Sequence, residues 1–484
     1  MNKTLVTLLL AVCHAVAAMA LVGESLLLPG DYPDPSIVRD GDDYYMTHSP
    51  FCYMPGFLIW HSTDLRHWEP LCRALLETNG DLWAPDLVKC NGRYYIYYPA
   101  GGTNYVLHAD RITGPWQGPI DLHVGGIDPG HIQTADGTRY LYTSGGNVVQ
   151  LAPDGLSTVG EMRQVYEGWA YPQDWETECF CLEAPKLTYH DGWFYLTSAQ
   201  GGTAGPAASH MVVTARSKSP CGPWENSPYN PIVHTSDSRD TWWSRGHGTI
   251  FDDSTGQWWM VYHAYRKDYH TLGRQTLIVP IEWTADGWPR TCTRHDEPFT
   301  PQHPDPSDDF TVHHLGWQWM FWKEYAPQAL HWRKGGLDID GKGGNTTDGR
   351  MLLVNATDTC YEVTVDVTPR RGATGGLLLY YNEKAHAGIT VSGQEATIIF
   401  NGSTVSRERL PHHRHCALRI RNERGRAQMA VSLDGRKTWQ VLTDDLDVSS
   451  LHHNRYGQFI SLRVALLAAG AASTHYAHFH YHAR

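Results

Sequence analysis

The chain has 484 residues, 41% of them apolar and 19% charged, which is enough for two or three domains and excludes a disordered protein. Its formal net charge is −12 and no segment is strongly basic, so nucleic acid and anionic membranes are poor partners. The 19 Trp and 26 Tyr residues suit either a β-protein core or a carbohydrate cleft, and composition alone does not choose between them.

The N-terminus has the pattern of an export signal. Lys3 is followed by the apolar run TLVTLLLAVCHAVAAMA, which ends in small residues. We therefore predict a signal peptide over residues 1–22 and a location in the periplasm or outside the cell. No later apolar run approaches the ~20 residues of a membrane-spanning helix, so no membrane span is predicted. An exported protein can also carry one or two disulfides among its remaining cysteines.

One pattern occurs five times in the region 23–297. Each copy has a polar or aromatic residue beside Pro or Gly, a short apolar strand, a turn containing Gly, and a second strand rich in aromatics. This pattern predicts a β-hairpin. The five copies are DPSIVRDGDDYYMT from Asp34, WAPDLVKCNGRYYIYY from Trp83, IDPGHIQTADGTRYLYT from Ile127, LEAPKLTYHDGWFYLT from Leu182 and GHGTIFDDSTGQWWMVY from Gly246.

A second element follows three of these hairpins. It consists of a strand, a turn and a terminal Trp, as expected for the outer strands of a four-stranded sheet. The three segments are HSTDLRHW ending at Trp68, ADRITGPW ending at Trp116 and ARSKSPCGPW ending at Trp224. Five such sheets predict an all-β domain, a five-bladed β-propeller over residues 23–297. An irregular β-sandwich is the alternative, but it would have to match the pattern five times by coincidence.

The spacing before the turn glycines aligns one residue from each hairpin. Glu183, Asp128, His247 and Trp83 each lie nine residues before a Gly, and Asp34 lies seven residues before one. The innermost strands of a propeller converge on its axis, so these five side chains are predicted to meet in one axial pocket. Asp86, three residues deeper than Trp83, is predicted to support this pocket.

Three carboxylates in a partly dry pocket cannot share one pKa, because repulsion and burial raise some values while hydrogen-bond donors lower others. One protonated acid and one ionised base on opposite sides of a sugar are the requirements of glycoside hydrolysis. Asp34 and Glu183 lie on non-adjacent blades, which favours the ~6.5–9.5 Å separation that leads to inversion. Asp128 is predicted to keep the pKa of Glu183 high.

At this level of detail the sequence resembles glycoside hydrolase family 43, and especially its β-xylosidase-like branch. The similar segments are DPSIVRDGDDYYMTHSPFCYMPGFLIWHSTDLRHWE, WAPDL, IDPG, LEAPKL, GHG and LGRQTLIVPIEWTADGWP. The resemblance implies an inverting hydrolase in which Asp34 is the general base, Asp128 the pKa modulator and Glu183 the general acid.

The resemblance also implies the residues that bind the sugar. Trp83, Arg274 and Phe51 would line the sugar pocket, and Asp86 is grouped with them. His247 would lie near the axis, where some family members hold a calcium or another ion through this His and waters. No organic cofactor is implied, and the expected partner is a hemicellulose or pectin oligosaccharide.

The sequence departs from the family pattern in three places. The acid block reads Glu183-Ala184-Pro185-Lys186 where Glu-Gly-Pro-His is usual, and Gln275 replaces a Glu after Arg274. A long insertion, YPQDWETECFC, precedes Glu183. Because rim loops determine specificity, these departures leave the sugar and the linkage open.

A second domain is predicted beyond a Pro- and Asp-rich linker over residues 298–310. Short alternating strands over residues 311–484 predict a β-sandwich of the jelly-roll or concanavalin-like kind. Its opening segment, LGWQWMFWKE, resembles the C-terminal domain of the xylosidase branch. The aromatic cluster of Trp317, Trp319 and Trp322 could bind sugar, but packing between the domains is favoured.

We therefore predict an exported, inverting exo-glycosidase that acts on plant cell-wall saccharides as a β-1,4-xylosidase or an α-L-arabinofuranosidase. An exo-β-galactanase or arabinanase of the same fold remains an alternative. A non-catalytic carbohydrate-binding propeller is another, although such a module would not need an aligned acid and base.

Overall fold

The computed structural model describes residues 23–77, 79–292, 299–410 and 415–484, so the predicted signal peptide lies outside the described residues. Within these ranges the chain forms 37 β-strands, three short 3-10 turns and one α-helical turn, α1 (His453–Tyr456). The described residues include no helix long and apolar enough to cross a membrane.

Twenty-three strands belong to the N-terminal region. The first ten are β1 (Ser25–Leu28), β2 (Ser36–Asp40), β3 (Asp43–Thr47), β4 (Tyr53–Met54), β5 (Gly56–Ser62), β6 (Glu69–Leu75), β7 (Asp86–Cys90), β8 (Arg93–Ala100), β9 (Thr103–Ala109) and β10 (Gln117–Asp121). The others are β11 (Gly130–Gln133), β12 (Arg139–Thr143), β13 (Asn147–Leu151), β14 (Thr158–Gln164), β15 (Glu183–His190), β16 (Trp193–Gln200), β17 (Met211–Ser217), β18 (Glu225–Asn226), β19 (Val233–His234), β20 (Trp242–Asp252), β21 (Trp258–Arg266), β22 (Arg274–Trp283) and β23 (Pro289–Thr291).

These strands form the predicted five blades. From the axis outward the blades are β2-β3-β5-β6, β7-β8-β9-β10, β11-β12-β13-β14, β15-β16-β17-β18 and β20-β21-β22-β1. The five innermost strands contact one another in a ring. The outer strand of the fifth blade is β1, so the beginning of the chain closes the propeller, a long-range pairing that the hairpin pattern did not predict.

Local sequence explains the hairpins and their packing. In the fourth blade, His190 pairs with Trp193 across a two-residue turn, and both turn residues, Asp191 and Gly192, have positive φ. An Asp-Gly turn of this kind matches the twist of the flanking strands. Trp224, which precedes the outer strand of this blade, packs against Tyr142 of the third blade with 6.2 Å between ring centroids. The recurring Trp residues thus contribute to packing between blades.

The C-terminal region is a two-sheet β-sandwich, as predicted. Its strands are β24 (Met320–Trp322), β25 (Leu330–Arg333), β26 (Gly336–Ile339), β27 (Arg350–Val354), β28 (Cys360–Pro369), β29 (Ala373–Asn382), β30 (Ala385–Ser392), β31 (Glu395–Phe400), β32 (Ser403–Arg409), β33 (Cys416–Glu423), β34 (Arg426–Ser432), β35 (Gln440–Asp447), β36 (Arg463–Gly470) and β37 (Thr474–Ala483). One sheet has the order β32-β31-β30-β29-β36-β27-β24-β4 and the other β25-β26-β37-β28-β33-β34-β35.

The two domains are joined by backbone and side-chain contacts. Strand β4 leaves the first blade and pairs with β24, so a propeller segment completes a sandwich sheet. The ring of Trp322 packs on Tyr53, and the buried carboxylate of Asp31 lies 3.3 Å from Arg463 of the sandwich. Trp319 and Trp322 are buried, as the packing interpretation expects, whereas Trp317 is exposed. The domains therefore share a packed, partly charged interface.

Candidate active site

The five aligned positions meet at one end of the propeller axis. Asp34, Trp83 and Asp128 lie in the turns that lead into β2, β7 and β11. Glu183 is the first residue of β15, and His247 lies within β20. All five line one cavity. The other residues around the cavity are Phe51, Ala84, Ile127, Thr203, Arg274 and Phe459.

The backbone at these positions is unusual. Asp34, Asp128 and His247 have φ of 56°, 56° and 58°, and Ala184, directly after Glu183, has φ of 51°. This left-handed region is tolerated by Asp and His but is unfavourable for Ala, and such strain concentrates at functional sites. The chain therefore adopts the same uncommon conformation on four blades where it delivers a side chain to the axis.

Asp34 is held in its ionised form. Arg274 donates from Nη1 to Oδ1 at 2.8 Å and from Nη2 to Oδ2 at 3.3 Å, and Ser49 Oγ donates to Oδ2 at 2.6 Å. Burial acts to raise the pKa of Asp34, but the charge of Arg274 outweighs it and holds the pKa well below its usual range. Asp34 is therefore a carboxylate at any ordinary pH.

Glu183 has the opposite character. Burial and, next, the charge of Asp34 raise the pKa of Glu183 to about 8. Its Oε1 atom lies 3.3 Å from Nε2 of His210, whose own pKa burial lowers to about 3. A neutral imidazole does not supply the positive charge that would ionise Glu183. The side chain remains 20% exposed, so a ligand in the cavity can reach the proton.

Asp128 is buried between these two groups. Its Oδ2 accepts a hydrogen bond from the backbone N–H of Ala184 at 3.1 Å and lies 4.0 Å from His247 Nδ1. Burial, followed by the charges of Glu183 and Asp34, raises the pKa of Asp128 well above its usual range. Asp128 and Glu183 therefore repel each other and titrate as a coupled pair. The role of Asp128 as a pKa modulator stays a prediction.

Three neutral histidines fill the axis behind the carboxylates. Burial is the main cause that lowers the pKa of His247 and His263, the latter to about 3. His263 Nδ1 accepts a hydrogen bond from the backbone N–H of Asp34 at 3.1 Å. Gly246 allows the third, His210, to approach β20, because a Cβ at position 246 would lie 2.2 Å from His210 Nδ1. The Gly-His-Gly segment thus serves packing at the axis.

The described residues around His247 offer calcium few direct protein ligands, so an ion there would depend on waters. The only clustered donors there, among the described residues, are Asp34, His247 and His263, which offer two nitrogens and one oxygen. Calcium takes 6–8 oxygen ligands, and the Asp34 carboxylate is already paired with Arg274. The positive charge of Lys186 also acts on His247 and would repel a cation held there through waters.

Asp86 lies behind the cavity, not in its lining, so a direct contact with substrate is not supported. Its Oδ1 accepts a hydrogen bond from Lys186 Nζ at 2.7 Å, and its Oδ2 accepts one from the backbone N–H of His131 at 2.7 Å. The same ammonium donates to the carbonyl oxygens of Pro85 and Pro129. Lys186 therefore ties the inner strands of three blades together, in agreement with the predicted supporting role of Asp86.

The sandwich supplies one wall of the cavity. Phe459 packs edge-on against Trp83 with 6.2 Å between ring centroids, and the Arg274 guanidinium lies 5.5 Å from its ring. The Phe459 carbonyl also accepts a hydrogen bond from Arg274 Nη2 at 3.5 Å. The predicted lining residue Phe51 packs on the opposite side of Trp83, also 6.2 Å away. The pocket is consequently incomplete without the second domain.

Sequence reasoning missed several residues of this site. His263 carried a signal, because it is a lone imidazole in the apolar strand MVYHAYR. His210, Ser49 and Thr203 carried none, since each reaches the axis from a segment outside the repeated pattern. Phe459 could not be found locally, because it comes from the loop after α1 in the other domain.

The long insertion before Glu183 forms an aromatic rim. Cys179 and Cys181 are joined by a disulfide at its end. Tyr171 stacks on Trp175 and on Phe180, with ring centroids 6.3 and 5.7 Å apart, and Phe180 is 46% exposed. Glu178, in the same segment, accepts a hydrogen bond from the backbone N–H of Ala204 at 2.8 Å. The exposed ring of Phe180 therefore lies on the segment that leads directly into Glu183.

The family models match both domains. The model of glycosyl hydrolases family 43 matches residues 25–289, and that of the beta xylosidase C-terminal concanavalin A-like domain matches residues 307–483. The chain belongs to glycosyl hydrolases family 43. Members of this family are glycosidases that invert the anomeric configuration, so the propeller is the catalytic domain of an inverting family 43 enzyme.

Related proteins agree with this family 43 assignment. A non-reducing end alpha-L-arabinofuranosidase of Bacteroides ovatus is 28% identical over 77% of this chain and 77% of its own length. A xylan 1,3-beta-xylosidase of Vibrio is 31% identical over 58% of this chain and 60% of its own length. The crystal structure of a family 43 protein of Bacillus licheniformis superposes with a TM-score of 0.86 at 26% identity, covering 95% of this chain and 100% of that one.

Proposed function

We propose that this family 43 enzyme is an exo-glycosidase that releases one pentose, a β-xylosyl or an α-L-arabinofuranosyl unit, from the non-reducing end of plant hemicellulose or pectin side chains. The observation that carries this proposal is the closure of the axial cavity by Phe459 of the sandwich.

The two carboxyl groups have the protonation states that an inverting reaction needs. Glu183, whose pKa is raised to about 8, acts as the general acid and donates its proton to the glycosidic oxygen as the C–O bond breaks. Asp34, held ionised beside Arg274, acts as the general base and takes a proton from the water that attacks the anomeric carbon. The product is a hemiacetal of inverted configuration, and proton exchange with solvent restores both groups.

The remaining lining residues bind the sugar. Trp83 offers an aromatic face at the bottom of the cavity, and Arg274 offers donors beside Asp34. Burial and the charge of Asp34 keep the proton on Glu183, and Asp128 supports the acid by accepting a hydrogen bond from the backbone N–H of Ala184. Because Phe459 of the sandwich forms one wall of the cavity, we favour exo action. No metal is needed for these steps.

A panel of substrates tests the proposal. The enzyme is incubated with xylo-oligosaccharides, arabinoxylan, arabinan and galactan, and the products are separated and identified. Release of xylose or arabinose alone, with the inverted anomer seen first by NMR, is expected. Internal cleavage to longer fragments would refute exo action. Release of galactose, or of arabinose from arabinan alone, would favour the exo-β-galactanase or arabinanase alternative.

We further propose that the enzyme is exported. The disulfide between Cys179 and Cys181 on the rim supports this, since disulfides persist in oxidising compartments. Fractionation of producing cells, followed by intact-mass measurement, tests the location. Recovery of the unprocessed chain, with both cysteines reduced, from the cytoplasm alone would refute it.

A further inference from the structure

We propose a zinc-binding site on the sandwich domain, formed by Asp309, His478 and His480, that is separate from the catalytic site. The last strand, β37, presents His478 and His480 on the same exposed face. Asp309 follows the linker and lies beside them. Its Oδ1 atom is 3.3 Å from His478 Nδ1 and 3.7 Å from His480 Nε2.

These distances match the spacing of ligands around one zinc ion. Zn–N and Zn–O bonds of about 2.0–2.2 Å in a tetrahedron place neighbouring ligand atoms roughly 3.3–3.5 Å apart. One ligand atom from each of the three residues lies within 4.8 Å of the others. Only small side-chain rotations are therefore needed, and the fourth position is open to water because all three side chains are about half exposed.

The backbone already holds the three ligands together. Asp308 and Phe479 exchange two backbone hydrogen bonds of 2.8 and 3.0 Å, which fixes Asp309 next to the two histidines. Arg436 donates to the carbonyl oxygen of His478 and to Asp366 Oδ1, both at 2.8 Å. Its positive charge is thus balanced by Asp366. The site is preassembled, so little ordering has to accompany binding of the ion.

The donor set selects the metal. Two imidazoles and one carboxylate suit Zn²⁺ and similar first-row ions, whereas Ca²⁺ and Mg²⁺ require oxygen ligands. The ion would join the segment that enters the sandwich to the last strand of the chain. We therefore infer a structural role, in which bound zinc stabilises the folded sandwich by mass action.

Calorimetric titration of the chelator-treated full chain with Zn²⁺ tests this site. We expect one ion per chain, no binding of Ca²⁺, and a rise in Tm with Zn²⁺. The double variant His478→Gln/His480→Gln, and separately Asp309→Asn, should lose both the binding and the rise in Tm. His331→Gln is the matched control, because His331 is also exposed but pairs with a single carboxylate, Asp340, at 2.9 Å.

Two results would overturn the proposal. The first is absence of Zn²⁺ binding to the parent chain. The second is Zn²⁺ binding that persists unchanged in the variants, which would locate the ion elsewhere, for example among the axial histidines. Glycosidase activity separates these cases, since the variants should retain the parent kcat/KM, whereas zinc at Asp34 and His263 should inhibit.

Discussion

The ring of Phe459, carried by the sandwich, packs edge-on against Trp83, carried by the second blade, with 6.2 Å between their centroids. The Phe459 ring also lies 5.5 Å from the guanidinium of Arg274, which holds Asp34 ionised. The second domain is therefore part of the catalytic site and not an appended binding module. Its contribution is a wall that closes the cavity at the propeller axis.

Replacing Phe459 with Ala should weaken catalysis more than it weakens the fold. The variant loses the edge-on contact with Trp83 and the cation–π contact with Arg274, each worth about 0.5–1.5 kcal/mol, so kcat/KM should fall roughly 5- to 150-fold. Steady-state kinetics on a xylosidase or arabinosidase substrate measures this. Phe400→Ala, on β31 of the same domain, is the matched control and should keep the parent kcat/KM. Equal losses of kcat/KM in Phe459→Ala and Phe400→Ala would mean that both substitutions act only through the stability of the fold.

The buried ion pair between Lys186 and Asp86 should matter for stability. Their Nζ and Oδ1 atoms are 2.7 Å apart, and both side chains are less than a tenth exposed. Lys186→Met leaves the Asp86 carboxylate buried without its counter-charge, which costs about 3–5 kcal/mol in such pairs. Urea unfolding should show this loss in the free energy of unfolding. The double variant Lys186→Met/Asp86→Asn should recover part of it, and a double variant no more stable than Lys186→Met would contradict this pairing.

Much of the propeller could be predicted because its hairpins are local. Each strand alternates, each turn contains Gly, and the nine-residue spacing by itself aligns Glu183, Asp128, His247 and Trp83. Asp34 lies only seven residues before its Gly, although the first blade closes with a two-residue turn like that of the fourth blade, and the structure places Asp34 with the others. A periodic pattern over short distances is enough to specify which residues reach the axis.

The remaining features depend on contacts between distant segments. The pairing of β1 with β22, the transfer of β4 to a sandwich sheet and the position of Phe459 each join residues from separate parts of the chain. No local pattern marks such contacts. Asp86 shows what a local pattern cannot reveal. Its spacing correctly predicts that it lies behind the pocket, but not that Lys186 donates a hydrogen bond to its carboxylate.

The pH profile of kcat/KM should be a broad bell. Activity requires ionised Asp34, so the acid limb should lie below the usual carboxyl pKa of 3.8, because the pKa of Asp34 is lowered. Activity also requires protonated Glu183, so it should fall as the pH rises through about 8. A basic limb at pH 5 would contradict the assignment of Glu183 as the acid.

The variant Asp128→Asn tests whether Asp128 acts on the pKa of Glu183, and the pH profile of kcat/KM measures it. Asp128 also holds a raised pKa and ionises as the pH rises, and its charge then opposes the ionisation of Glu183. Removing this carboxyl should therefore move the basic limb to lower pH. The acid limb should move little, because Arg274 is the main cause that lowers the pKa of Asp34. An unchanged or alkaline-shifted basic limb would show that Asp128 does not act through the pKa of Glu183.

Glu183→Gln provides the most direct test of the general acid. The amide keeps the size of the side chain but cannot donate the proton, so kcat on an unactivated disaccharide should fall about 10²- to 10⁴-fold. On an aryl glycoside with a good leaving group the loss should be smaller, because that oxygen needs little protonation. Glu178→Gln is the matched control, since Glu178 is a nearby rim carboxyl whose amide can still accept the Ala204 N–H, and its activity should stay near that of the parent. Full activity of Glu183→Gln on the disaccharide would exclude Glu183 as the acid.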